Sequence, residues 1–137
     1  MNAKNIFITE SDLLRLQQLV ESSRGPGHRD AQHLNPLKAE LERAIVVEAK
    51  AVPHDVVTMN SRVRVRDLDT QEEFVYQIVF PRDANLEENK ISVLAPIGTA
   101  LLGYQTGSTI EWEVPSGRRR FYIIDLEYQP EAASLAA

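Results

Sequence analysis

The sequence predicts an α+β protein: a short N-terminal antiparallel helical hairpin, then an antiparallel sheet with one short helix packed on it. Three observations predict it. Hydrophobic period changes from helical spacing to strict alternation near residue 50. Proline- and glycine-rich stretches cut the chain into short elements. The later alternating segments lie so close together in sequence that they must pair antiparallel. With 137 residues, 43% of them apolar, the chain suits one compact domain with a small appendage.

Ile6, Phe7 and Ile8 precede Thr9-Glu10-Ser11-Asp12, in which Thr9 is a good N-cap and Asp12 stands where a capping box carries Glu. Leu13, Leu16 and Val20 then share one helical face, with Leu19 beside them. The run from Ser22 to Gly27 ends this helix. Asn35-Pro36 opens a second one, with proline at the first helical position. Leu37, Leu41, Ala44, Ile45 and Glu48 keep helical spacing until Val52-Pro53. Both apolar faces are narrow, which suits a coiled-coil hairpin with helices of roughly 20 Å at about 1.5 Å per residue.

Beyond residue 50 the period is two. Arg62 to Arg66 alternates as a half-buried strand, and Asp67 to Thr70 is turn-like. Glu73 to Phe80 is a strand stopped by Pro81, and Asp83 to Asn89 is a polar loop. Ile91 to Leu94 is a short strand. Pro96 to Gly103 is one or two helical turns, with proline near the start and glycine after the end. Ser108 to Val114 places Ile110, Trp112 and Val114 on one face; Pro115-Ser116-Gly117 turns the chain into a returning strand, Arg119 to Tyr128. Gln129 to Ala137 has no pattern that requires order. The expected division is an arm over residues 1–50, a body over 51–130 and a tail over 131–137.

Composition excludes several functions. With no cysteine there are no disulfides, thiolate zinc sites, iron–sulfur clusters or thiol catalysis. A net charge of -5 argues against nonspecific coating of nucleic acid. No apolar run approaches twenty residues and no charged-then-apolar leader opens the chain, so a cytoplasmic protein with no membrane partner is expected. Residues 1–50 carry seven basic and seven acidic side chains; residues 51–137 carry eight and thirteen. A neutral arm therefore precedes an acidic body.

The stretch from Ile91 through Pro96-Ile97-Gly98 to Leu101-Leu102-Gly103, then Gly107, the Pro115-Ser116-Gly117 turn and Leu126-Glu127-Tyr128, resembles the C-terminal domain of the bacterial transcript-cleavage factors GreA and GreB. Leu37 to Arg43, Val52 to Val63 and Glu127 to Ala133 resemble the Rnk family, regulators of nucleoside diphosphate kinase. That family is a short-armed branch of the same superfamily. The resemblance spans nearly the whole chain and is weakest over residues 1–33. It implies an FK506-binding-protein-like (FKBP-like) C-terminal domain and binding to RNA polymerase near the secondary channel. It also implies only indirect contact with nucleic acid, in the transcription complex. A monomer is the expected state.

The Gre factors deliver acidic side chains from the arm's tip to the polymerase active site. A hard divalent cation needs carboxylate oxygens there, and one carboxylate rarely suffices. The tip here, Arg24 to His33, offers one acid, Asp30, beside Arg29. The family's paired acids are missing, and the arm has roughly half the family's helix length. Both departures predict polymerase binding without transcript cleavage. Arg29 and Asp30 are the arm-tip candidates, with Asp30 as a solvated turn residue the bland alternative. His28, Asp30 and His33 in a flexible Gly-Pro-Gly loop make a poor zinc cage, so no metal or other cofactor is assigned.

Ala95, Pro96 and Ile97 are the candidates for docking to polymerase. The resemblance sets them in the loop that grips the polymerase rim, where apolar side chains suit a protein contact. The alternative is that Ile97 is core and Pro96 merely starts a helix. Arg62, Arg64 and Arg66 share one sheet face. Cross-strand pairing with acids such as Glu111 or Glu113 competes there with an anion-binding stripe. Arg118-Arg119-Arg120 is read as a solvated edge, and Trp112 as core. Prolyl isomerase activity does not follow from the fold, because the nine aromatics (Phe 4, Tyr 4, Trp 1) are spread along the chain. There is no phosphate loop, so no kinase is expected. The function expected is a non-enzymatic, polymerase-binding transcription regulator. A cleavage factor of the GreA/GreB type is the alternative.

Overall fold

Thr9 is where the chain turns from strand to helix. In the computed structural model, which describes residues 6–22, 35–114 and 117–136, β1 (Phe7–Thr9) runs directly into α1 (Glu10–Ser22). The Thr9 hydroxyl oxygen accepts the Asp12 N–H at 3.2 Å, the N-cap expected from sequence. Leu16 and Val20 are buried along α1, with Leu13 and Leu19 packed beside them.

The second helix, α2 (Asn35–Arg43), stops well before the expected Val52–Pro53. Ile45–Val47 forms a strand, β2, parallel to β1, with Phe7 opposite Ile45 and Thr9 opposite Val47. The Ile45 N–H donates to the Ile6 carbonyl at 2.8 Å. Three consecutive β-branched residues are stiff at χ1 and favour extended backbone once a strand edge is offered. At about 1.5 Å per residue, the thirteen residues of α1 reach about 20 Å and the nine of α2 only about 14 Å.

The body is built on β3 (Arg62–Asp67), β4 (Glu73–Val79), β5 (Lys90–Ser92), β6 (Thr109–Val114) and β7 (Gly117–Tyr128), arranged β5-β4-β3-β7-β6 among the described residues. The three pairings β3–β4, β3–β7 and β6–β7 are antiparallel. The pairing of β4 with β5 is parallel, so the sheet is mixed rather than wholly antiparallel. Two 3-10 turns, Pro81–Asp83 and Leu86–Glu88, carry the chain between them. Asn85 caps the second turn by accepting the Glu87 N–H at 3.0 Å, and left-handed Asn89 (φ 58°) leads into β5.

A single buried cluster joins the parts: Ile6, Ile8, Leu16, Val20 and Leu37 are packed with Val57, Met59, Val63, Ile78, Leu101 and Ile123. Burying one such side chain contributes about 2 kcal/mol. Gly103, in left-handed backbone (φ 87°), lets Ile6 approach so closely that a Cβ there would lie 2.7 Å from the Ile6 Cβ. The C-terminal stretch, expected to lack order, forms α4 (Pro130–Ala136), with proline at its first position. Gln129 anchors it by donating from Nε2 to the carbonyls of Pro53 and Val56, each at 2.8 Å.

Candidate functional site

The turn between β5 and α3 (Pro96–Leu101) is held from several sides. The Ser92 hydroxyl oxygen accepts the Leu94 N–H at 3.0 Å, and the Ser92 carbonyl accepts the Ala95 N–H at 3.0 Å. Thr99 donates its hydroxyl to the Val93 carbonyl at 2.6 Å. Gly98 lies against the Ser92 carbonyl; a Cβ there would come within 2.2 Å of that oxygen. On this frame Pro96 is exposed, Ala95 and Ile97 are half-buried, and Leu94 and Ile97 lean on the core. Ile97 is thus partly core, as the alternative reading expects. It braces the turn from beneath while Pro96 stands in solvent.

The three arginines of β3 do share a face, and acids on neighbouring strands neutralise two of them. Arg64 donates to Glu127 on β7 at 2.6 Å and lies 3.6 Å from Glu73 on β4. Arg66 donates to Glu73 at 2.9 Å, and Arg62 stacks on Tyr128. The partners are therefore Glu73 and Glu127 rather than Glu111, which pairs instead with Arg118 at 2.8 Å. The Arg66 bond holds the Glu73 carboxyl below its usual range. Arg119 pairs with buried Asp67, and Arg120 with Asp69 at 3.2 Å. Burial pushes the Asp67 carboxyl up, but Arg119 and the N–H groups of Asp69 and Thr70 outweigh it and hold it low. Trp112 packs edge-on against Phe121, with centroids 4.7 Å apart.

Arg29 and Asp30 lie outside the described residues, as does the rest of the expected arm tip. The acid that the structure brings into prominence is Asp12, only 5% exposed at the start of α1. Its Oδ2 accepts the Met59 N–H at 3.1 Å, tying α1 to the loop before β3. Burial pushes its carboxyl up to about 6, and the charge of Glu131 on α4 adds to this. The pull of Met59, Arg15 and Thr9 offsets it only in part. Glu131 in turn accepts the Thr58 hydroxyl at 2.7 Å, and Thr58 meets Ser61 at 2.8 Å. Nothing local in the sequence marks Asp12 for this role, since Met59 is 47 residues away. Among the described residues no three His, Asp or Glu side chains gather as a metal site.

Among the described residues the fold is thus an α+β body with a mixed five-stranded sheet, a turn at Pro96 and two short helices at its N-terminus. The family model "Transcription elongation factor, GreA/GreB, C-term" matches residues 52–128, and "Rnk N-terminus" matches residues 4–47. The chain belongs to the GreA/GreB family, with an Rnk-type N-terminal segment. It is 40% identical over 97% of its length to the Regulator of nucleoside diphosphate kinase of Escherichia coli K12, covering 96% of that protein. It is 36% identical to the transcription elongation factor GreA of Brucella canis, over 80% of this chain and 73% of that one. A solved GreA/GreB factor from Nitrosomonas europaea superposes with a TM-score of 0.71 at 43% identity, over 91% of this chain and 99% of that one. No described helix is long and apolar enough to cross a membrane.

Proposed function

We propose that this chain is a non-enzymatic, cytoplasmic transcription regulator that binds RNA polymerase near the secondary channel and competes there with longer-armed Gre-like factors. The observation that carries this is a braced, proline-tipped turn, Ala95–Pro96–Ile97, on a GreA/GreB-family body whose arm helices are only thirteen and nine residues long. A rigid turn binds at low entropic cost, because its ordering is already complete before the partner arrives. The short arm enters the channel mouth and, with one acid at its tip, does not supply the carboxylate pair that a catalytic metal needs. The protein acts as a monomer. It meets nucleic acid only within the transcription complex, and it regulates nucleoside diphosphate kinase, directly or through transcription.

The test is displacement of a labelled Gre factor from core polymerase by the purified chain. Displacement is expected, with Pro96→Ala and Ile97→Ala weakening it. Absence of any binding to core polymerase would overturn the proposal. The cleavage reading would prevail if adding the chain shortened transcripts in stalled complexes and Asp30→Ala abolished that shortening.

A further inference from the structure

On the opposite side of α1 from α2, a groove of about 350 Å³ is lined by Arg15, Gln18, Leu19, Phe80, Pro81 and Arg82. Among the described residues no carboxylate lines it. The Arg15 guanidinium sits 4.4 Å over the Phe80 ring, which fixes its plane. Asp12 is the nearby acid whose charge Arg15 feels, yet that carboxylate is turned inward to Met59. Arg82 follows Pro81 on an exposed 3-10 turn, and among the described residues it has no ion pair.

Of the other described arginines, Arg62 stacks on Tyr128 and the rest are paired with acids. Arg43, Arg64, Arg66, Arg118, Arg119 and Arg120 each pair with a carboxylate. With 20 acids available to 15 bases, two guanidinium groups share one groove without an acid in it. Like charges held close repel, and an anion between them relieves that repulsion. A guanidinium already stacked on a ring loses little further freedom on binding a carboxylate through its N–H fork.

We infer that this groove is a second docking site, separate from the Pro96 turn, for an acidic segment of the polymerase in which Asp or Glu stands beside an apolar side chain. The carboxylate meets Arg15 and Arg82; the apolar neighbour lies on Leu19 and Pro81. A nucleic-acid strand fits less well. Asp83 and Glu87 follow Arg82 on exposed backbone and would repel the next phosphates of a polyanion. The identity of the partner rests on the polymerase-binding proposal; the chemistry of the occupant comes from the groove.

The experiment measures binding of the full chain to immobilised core polymerase at two salt concentrations. Wild type is compared with Arg15→Gln/Arg82→Gln and with Gln18→Glu, which puts a carboxylate into the groove and leaves the Phe80 stack in place. Each variant is expected to bind about tenfold more weakly, with a flatter salt dependence and an unchanged unfolding midpoint. If wild type binds and both folded variants match it, the groove is not a docking site and the polymerase proposal stands. If wild type itself does not bind, the polymerase proposal fails, and this inference with it. A parallel titration with a labelled single-stranded RNA reads the other class of occupant. Loss of RNA binding in the variants with unchanged polymerase binding would overturn the inference.

Discussion

Replacing Asp12 by Asn should stabilise the protein at neutral pH and do almost nothing in acid. Asn has nearly the same shape and keeps an oxygen to accept the Met59 N–H, but it has no charge to bury. The Asp12 carboxyl is raised from 3.8 to about 6, chiefly by burial. The folded state therefore holds a proton more tightly than the unfolded state, so stability falls as pH rises between these two values. A shift of about two units at ~1.4 kcal/mol each makes the full cost about 3 kcal/mol above pH 7. The same linkage leaves about half of that at pH 5 and little of it at pH 4. Urea denaturation followed by Trp112, the chain's one tryptophan, reads this directly. The difference between Asp12→Asn and wild type isolates this group from the other carboxylates that titrate in the same range. Glu131→Gln should move the window to lower pH, because the Glu131 charge helps raise Asp12. A variant-minus-wild-type difference that stays constant from pH 4 to pH 8 would refute the reasoning. So would a variant less stable than wild type at pH 8, which would mean that the charged bond to Met59 outweighs desolvation.

Other substitutions probe the frame of the site. Gly98→Ala should cost about 1–3 kcal/mol by forcing the Ser92 carbonyl away, and with it weaken the Pro96 turn; a denaturation midpoint equal to wild type would show that the turn yields freely. Arg119→Ala should cost about 2 kcal/mol at pH 7 by leaving buried Asp67 with only backbone partners. Because Asp67 is held low, that loss should fade as pH falls through its range, which a pH series of urea melts would show. Thr9→Ala should cost about 1 kcal/mol through loss of the α1 cap, and Thr9→Ser should restore most of it in the same assay.

The features legible in sequence were those with local causes. Alternation marked β3, because each of its apolar residues faces the core. The Pro96 start and Gly103 stop bracketed α3, because proline at a first turn and glycine after a last one act through their own backbones. The features that escaped depend on distant partners. Ala44, Ile45 and Glu48 continue the spacing of Leu37 and Leu41, so period alone carries the helix on. The competing signal was the β-branched run Ile45-Val46-Val47, whose strand needs β1 beside it. The parallel β4–β5 pair was hidden by a connection short enough for a hairpin, which two 3-10 turns convert into a crossover. The residues of the Pro96 turn are contiguous, so the turn itself is legible from proline and glycine. The carboxylates facing the β3 arginines, the Met59 partner of Asp12 and the meeting of Arg15 with Phe80 are set by folding over long separations.

The pairing of Phe7–Thr9 with Ile45–Val47 has a consequence for how such a protein can change. The pair is parallel, so the chain leaves at Thr9, opposite Val47, and re-enters at Ile45, opposite Phe7; at about 3.3 Å per residue along the strand and about 4.8 Å across, exit and entry stand about 8 Å apart. What lies between is anchored at its base, where Leu16, Val20 and Leu37 share the body's core. Closing a longer insertion costs only about 0.6 kcal/mol for each doubling of a flexible segment. A longer projection could therefore be grafted between α1 and α2, beyond these core side chains, without repacking the sheet. The length of the projection is thereby uncoupled from the packing of the sheet.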